Sequence, residues 1–127
     1  MKSLRFFKCE HCGNVVVKLV EKGVPVFCCG QKMEEIFANT VDAAVEKHLP
    51  VLSLNGEVLD VKVGEILHPM EEVHYINFIA VETGKGCSIV SLLPGQVPEV
   101  KVFVGDSKVV AVYEYCNLHG LWRTEFK

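Results

Sequence analysis

Residues 51–63 read VLSLNGEVLDVKV, in which the apolar and polar runs "VLSL" and "EVLDVKV" flank Asn55-Gly56. Asparagine followed by glycine between two such runs is the strongest short hairpin signal, because both residues tolerate the positive φ of a tight loop. An antiparallel strand pair is expected here. The same grammar continues towards the C terminus: "EVHYINFIAVE", "CSIVSLL", "EVKVFV", "KVVAVYEYC" and "LWRTEF" follow, punctuated by Thr83-Gly84, Pro94-Gly95 and Gly105-Asp106. β-Branched and aromatic residues suit a pleated, half-buried surface, and about seven short strands at this spacing predict an antiparallel sandwich or barrel. No long stretch carries helical apolar periodicity, although "TVDAAVEKH" has room for one turn.

The chain has 127 residues and is half apolar. That is enough for one real core plus a small appendage, and too little for two ordinary domains. Its net charge of −3 and singly scattered Lys and Arg give no basic stripe, which argues against a nucleic-acid partner. The opening "MKSLRFFK" is basic without an apolar run, and no segment is apolar for the length of a bilayer. A cytoplasmic address with no membrane partner is expected. In a reducing compartment the six cysteines read as metal ligands or reactive thiols; three disulfides in an exported chain is the alternative.

Cys9, Cys12, Cys28 and Cys29 all fall in the first thirty residues, whereas four of the five histidines lie beyond them. The asymmetry predicts two metal-linked units, residues 1–37 and 38–127, with the boundary near residues 36–40. Cys9-Glu-His-Cys12 is a Cys-x-x-Cys knuckle, and Cys28-Cys29 offers a second pair. Four thiolates make a closed tetrahedral site for zinc or iron, and metal binding supplies folding energy that a short segment lacks. Neighbouring side chains point apart, so aiming both Cys28 and Cys29 at one ion requires a distorted backbone. A structural zinc knuckle and a vicinal-thiol redox switch remain alternative readings of these residues. Gly13 after Cys12 excludes the usual haem attachment motif, and His11 reads as a solvated bystander. "CEHCGN…CCGQKM" resembles the desulforedoxin-type centre, a mononuclear Fe(Cys)4 site.

His48, His68, His74 and His119 each sit at a predicted strand end or loop. Any one alone reads as an ordinary histidine. Cys116-Asn117-Leu118-His119 has metal-pair spacing but is a weak signal without further ligands. Pro50 and Pro69 stiffen the backbone beside His48 and His68. The stretches "TVDAAVEKHLPV", "HPMEEVHYI" and "YCNLHGLW" resemble, in order, the three motifs of the superoxide reductase domain. With the cysteine-rich head, the whole chain resembles the desulfoferrodoxin family.

That resemblance implies an immunoglobulin-like sandwich for residues 38–127 and two irons per chain. One iron is bound by Cys9, Cys12, Cys28 and Cys29; the other has His48, His68, His74 and His119 as equatorial ligands and Cys116 as the axial thiolate. It also implies superoxide as substrate, reduced to hydrogen peroxide by an external donor such as rubredoxin, and a homodimer. An anion approaching a net-negative protein needs local positive charge, and Lys47 beside a ligand is the candidate to steer it and to orient water as a proton source. By resemblance, Glu46 binds the ferric ion at its vacant position after turnover.

Some residues depart from the family pattern or stand outside it. Phe78 occupies a place where many relatives are expected to carry tryptophan, and Asn77 beside it alters local polarity. Trp122 reads as a core filler, Cys87 as a buried or idle thiol, and Glu71-Glu72 as a solvated turn. Two rival functions remain at this stage: a pure electron carrier, and a zinc-stabilised binding module.

Overall fold

A computed structural model of the chain describes residues 4–127. Met1, Lys2 and Ser3, at the start of "MKSLRFFK", lie outside the described residues. The chain divides into two compact units, Met1–Phe37 and Ala38–Lys127.

In the first unit, β1 (Phe6–Lys8), β2 (Val15–Val17), β3 (Phe27–Cys28), β4 (Gln31–Lys32) and β5 (Glu34–Ile36) form two small sheets, β2-β1-β5 and β3-β4. Phe7, Cys9 and Met33 are buried together, with Val16 and Cys28 packed against them. So few apolar residues make a marginal core, and two of the five are cysteines. The β3–β4 register pairs Cys28 with Gln31, leaving Cys29-Gly30 as a two-residue loop. Both loop residues have positive φ, 55° at Cys29 and 72° at Gly30, the signature of a type I′ turn.

The second unit opens with a single helical turn, α1 (Val45–His48), where "TVDAAVEKH" left room for one. Seven strands follow: β6 (Pro50–Asn55), β7 (Val58–Val63), β8 (Ile76–Thr83), β9 (Gly86–Ser91), β10 (Glu99–Phe103), β11 (Val109–Cys116) and β12 (Gly120–Glu125). They make an antiparallel three-stranded sheet, β10-β7-β6, and a four-stranded one, β12-β11-β8-β9. This is the three-on-four arrangement of an immunoglobulin-like sandwich. The period-2 pattern explains the layering: Leu59, Val61 and Val63 of β7 turn inward and are fully buried, while Lys62 between them is exposed. They meet Ile76, Ile79 and Val81 of β8 and Val112 and Cys116 of β11 in one core.

Two boundaries differ from the sequence reading. The first hairpin turns on Gly56-Glu57, because Asn55 pairs with Val58 and closes the ladder. Gly56, at φ 65°, takes the first loop position that a type II′ turn reserves for glycine. The Asn55 side-chain amide instead donates to Asp60 Oδ2 at 2.8 Å. Secondly, "EVHYINFIAVE" is not all strand: β8 starts at Ile76, and Glu71 and His74 exchange two backbone hydrogen bonds in a tight loop before it.

Candidate metal centres

The strand register brings five donors to one end of the sandwich. Pro50 at the start of β6 pairs with Val63 at the end of β7, and Ile76 at the start of β8 pairs with Cys116 at the end of β11. His48 therefore precedes β6, His68 follows β7, His74 precedes β8, and Cys116-His119 spans the turn from β11 to β12. Their donor atoms all lie within 4.8 Å of one another. His48 Nε2 is 3.2 Å from His68 Nε2 and 3.1 Å from His119 Nδ1. An ion with metal–nitrogen bonds of about 2.1 Å holds neighbouring donors at right angles about 3 Å apart, so the spacing fits.

Ring contacts run His48–His68, His68–His74, His74–His119 and His119–His48, all near edge-on with centroids 4.6–5.1 Å apart. The four imidazoles thus form a closed square. The Cys116 thiol, fully buried, lies 3.9 Å from His119 Nδ1. Two imidazoles have their remote nitrogens fixed: His48 Nδ1 meets the Ala44 carbonyl and His68 Nδ1 the Pro69 carbonyl, each at 2.7 Å. With Nδ1 donating, each Nε2 is left as a free lone pair. His74 Nε2 is buried without a hydrogen-bond partner, as a ligand nitrogen is before it meets its ion. Burial holds His68 down at about 4 and also lowers His48 and His74, so these rings are neutral near pH 7. Burial raises Cys116 against the opposing pull of the Leu118 and His119 amides, and a bound cation would favour its thiolate further.

The four cysteine thiols of the first unit form the second group. Cys12 Sγ and Cys28 Sγ are 3.6 Å apart, close to the edge of a tetrahedron with metal–sulfur bonds of about 2.3 Å. The knuckle presents amides to sulfur: Cys12 N–H to Cys9 Sγ at 3.5 Å and Asn14 N–H to Cys12 Sγ at 3.4 Å. The former, with other amides, draws Cys9 down to about 6, whereas the crowded thiols, Cys12 foremost, push Cys29 up to about 12. The left-handed backbone at Cys29 is what lets a vicinal pair face one point. It is the distortion that the Cys28-Cys29 adjacency demanded.

Comparison with known proteins agrees with both donor sets. A family model described as desulfoferrodoxin matches residues 40–125, and one described as its N-terminal domain matches residues 2–36. The chain belongs to the desulfoferrodoxin family. A desulfoferrodoxin from Desulfarculus baarsii is 46% identical over 96% of both chains. The solved superoxide reductase of Treponema pallidum superposes with a TM-score of 0.83, at 35% identity over 98% of this chain and 100% of that one. A one-iron superoxide reductase from Giardia intestinalis covers 65% of this chain and 98% of its own, with a TM-score of 0.57 and 31% identity. In this desulfoferrodoxin-family chain the two donor sets can each hold a metal ion, consistent with two irons. Four soft thiolates suit iron or zinc in the first; four imidazoles and one thiolate suit a redox-active first-row metal in the second.

The nine ligand residues named from sequence thus fall into two converging sets. Glu46 and Lys47 do not join them. Both are exposed on α1, with Glu46 lining a cleft beside Leu49, Glu65 and Thr124, and the Lys47 charge helping to lower His74. His11 is exposed and Glu71-Glu72 form an exposed turn. Trp122 is more than a core filler: it is buried, stacks on the His48 ring at 4.9 Å and donates its Nε1–H to the His119 carbonyl at 3.0 Å. Cys87 is exposed on β9 rather than buried. Phe78 is half-buried and stacks on Tyr115.

Sequence reasoning missed two supports and one buried carboxyl. Asn117, between the Cys116 and His119 pair, clamps the His74 loop from both sides: its Oδ1 accepts from Tyr75 N–H at 2.9 Å and its Nδ2 donates to the Val73 carbonyl at 3.0 Å. Gly64 lets the chain after β7 lie against α1, since a Cβ there would sit 2.7 Å from the Glu46 carbonyl oxygen. Glu114 is fully buried with neither carboxyl oxygen partnered, and burial raises it well above the carboxylate range. Its charge-bearing residue type disguised it in a strand otherwise apolar or aromatic.

Proposed function

We propose that the chain is a superoxide reductase, converting superoxide to hydrogen peroxide at the His48, His68, His74, His119 and Cys116 site without releasing dioxygen. The observation that carries this reading is the convergence of four imidazoles and one buried thiol at metal-ligand spacing. A ferrous ion held there would supply the single electron that, with two protons, takes superoxide to hydrogen peroxide.

The chain's own residues do the rest. Those five side chains would hold the ion and would leave it accessible to a small anion. Lys47 draws the anion in and orders the water that delivers protons. Glu46, exposed on the same helical turn, is the carboxylate that would close the site to a second superoxide, as the family resemblance implies. Trp122 and the Ala44 and Pro69 carbonyls hold the imidazole square in shape. Cys9, Cys12, Cys28 and Cys29 would hold the second iron, whose one-electron chemistry would let it store or relay an electron. The donor is a small reduced carrier such as rubredoxin, and the chain works as a homodimer in the cytoplasm; these follow the family resemblance. No helix among the described residues is long and apolar enough to cross a membrane.

The test is metal content and an optical spectrum on anaerobically purified, iron-replete protein, followed by product analysis with a superoxide source. Two irons per chain, a thiolate-to-iron band, a second band appearing on mild oxidation, and peroxide formed without dioxygen are expected. Zinc at both sites with no visible band would make both sets structural and leave the binding-module reading standing.

A further inference from the structure

Three of the four imidazoles are fixed by bonds beyond their place in the chain. His48 Nδ1 meets the Ala44 carbonyl and its ring lies against Trp122, His68 Nδ1 meets the Pro69 carbonyl, and the His119 carbonyl accepts the Trp122 Nε1–H. His74 has no such tether. Its Nε2 is buried without a partner, and no hydrogen bond to its ring is found among the described residues. Its backbone is lightly held as well: residues 71–74 are closed by the two hydrogen bonds that Glu71 and His74 exchange, and Val73 is 74% exposed. A loop with few buried contacts opens at little cost in free energy.

Asn117 supplies what this loop lacks. Besides the two side-chain bonds already described, its backbone N–H donates to the Tyr75 carbonyl at 3.3 Å. Val73 and Tyr75 are the chain neighbours of His74, so the three bonds bracket the ligand on both sides. Asparagine is the short side chain that presents a carbonyl acceptor and an amide donor together, which is what one N–H and one C=O of the loop require.

We infer that Asn117 is a positioning residue of the sandwich centre, acting through His74: it keeps that imidazole in the square made by the other three, and locks its loop to the turn that bears Cys116 and His119. Without the Asn117 side chain, His74 is free to swing away while the other four donors stay in place. The inference rests on the superoxide reductase reading for the identity of the ion, and goes beyond it in naming what holds the ligand set closed.

Anaerobic release of iron from the loaded full chain to a ferrous chelator tests it, together with electron paramagnetic resonance of the oxidised sandwich iron. Wild type, Asn117→Ala, His74→Ala and the double variant are compared. Asn117→Ala should release the sandwich iron about tenfold faster or more, while the four-cysteine iron leaves at the wild-type rate. Its oxidised iron should give two signals, one matching wild type and one matching His74→Ala, a mixture that general loosening of the fold does not produce. In the His74→Ala background, removing Asn117 should change neither rate nor signal, because a coupling disappears with its partner. Wild-type release and a single wild-type signal in Asn117→Ala overturn the inference. Equal acceleration in both backgrounds also overturns it, since Asn117 would then act on the fold and not through His74. If the iron-replete chain carries zinc at this site, the superoxide reductase reading fails, and the same comparison of release rates, made on zinc, still decides the role of Asn117.

Discussion

Lys47 is an exposed cation one residue from a buried imidazole, on a chain of net charge −3. The steering role proposed for it has a signature that packing roles lack. Lys47→Ala should slow superoxide reduction by about tenfold, most at low ionic strength, while both irons stay bound. Stopped-flow rates across a salt series decide it: equal rates for both proteins at every salt concentration would remove Lys47 from the mechanism. Cys29 makes a second single-residue case. Its thiol and its left-handed backbone both serve the first centre. Cys29→Ser should abolish the native absorption of that centre, yet leave turnover near wild type when reductant is ample. Lost turnover with the His4Cys iron still present would make the first centre an obligatory relay.

At the scale of elements, α1 is too short to hold itself, and its place is set by what lies beneath it. Ile66 N–H donates to the Glu46 carbonyl at 2.9 Å, and Gly64 fits where a Cβ would come within 2.7 Å of that oxygen and 2.9 Å of the Lys47 carbonyl carbon. Both contacts are to backbone, so the strain has no flexible side chain to absorb it. Gly64→Ala should cost about 1–3 kcal/mol in thermal or denaturant unfolding. A melt matching wild type would show that α1 shifts freely. In the first unit, Arg5 binds Glu35 through two bonds, 3.0 and 2.8 Å, beside the β1–β5 pairing. The Arg5 hydrogen bond, then its charge, holds the Glu35 carboxyl below its ordinary value. Folded Glu35 thus releases its proton more readily than unfolded Glu35. Its stabilisation is present above the unfolded value of about 4.3 and is lost as pH falls through the lowered folded one. Because the pair is exposed, the effect is small. Glu35→Gln should reduce the stability of the first unit at neutral pH and flatten its acid limb below about pH 4.5. Parallel pH–stability curves for the two proteins would contradict the assignment.

On the whole molecule, the two units differ in what holds them. The sandwich has a continuous core of buried side chains from both sheets, whereas the first unit buries a three-residue cluster that includes one of its own ligands. Metal removal by a strong chelator under reducing conditions should therefore unfold the first unit, read as rapid deuterium exchange in β1 and β5. The amides of β7, β8 and β11 should stay protected. Equal loss of protection in both units would mean that the sandwich, too, depends on its ion.

The sequence alone determined the chemistry and the class of fold. Cysteine and histidine are rare enough that their spacing survives as a signal, and period-2 apolar patterning marks strands wherever one face is buried. Seven sandwich strands, one helical turn and the four-cysteine group were legible on those grounds, and the four histidines with Cys116 through the resemblance of their three motifs to the family. The turn at Gly56-Glu57, the loop that delays β8 to Ile76, the Asn117 clamp and the Gly64 seat were not. Each depends on which backbone groups meet across dozens of residues, and side-chain identity along the chain carries no record of that until the strands are paired. Tertiary structure alone decided the square of imidazoles, because register brings together four rings that lie up to 71 residues apart.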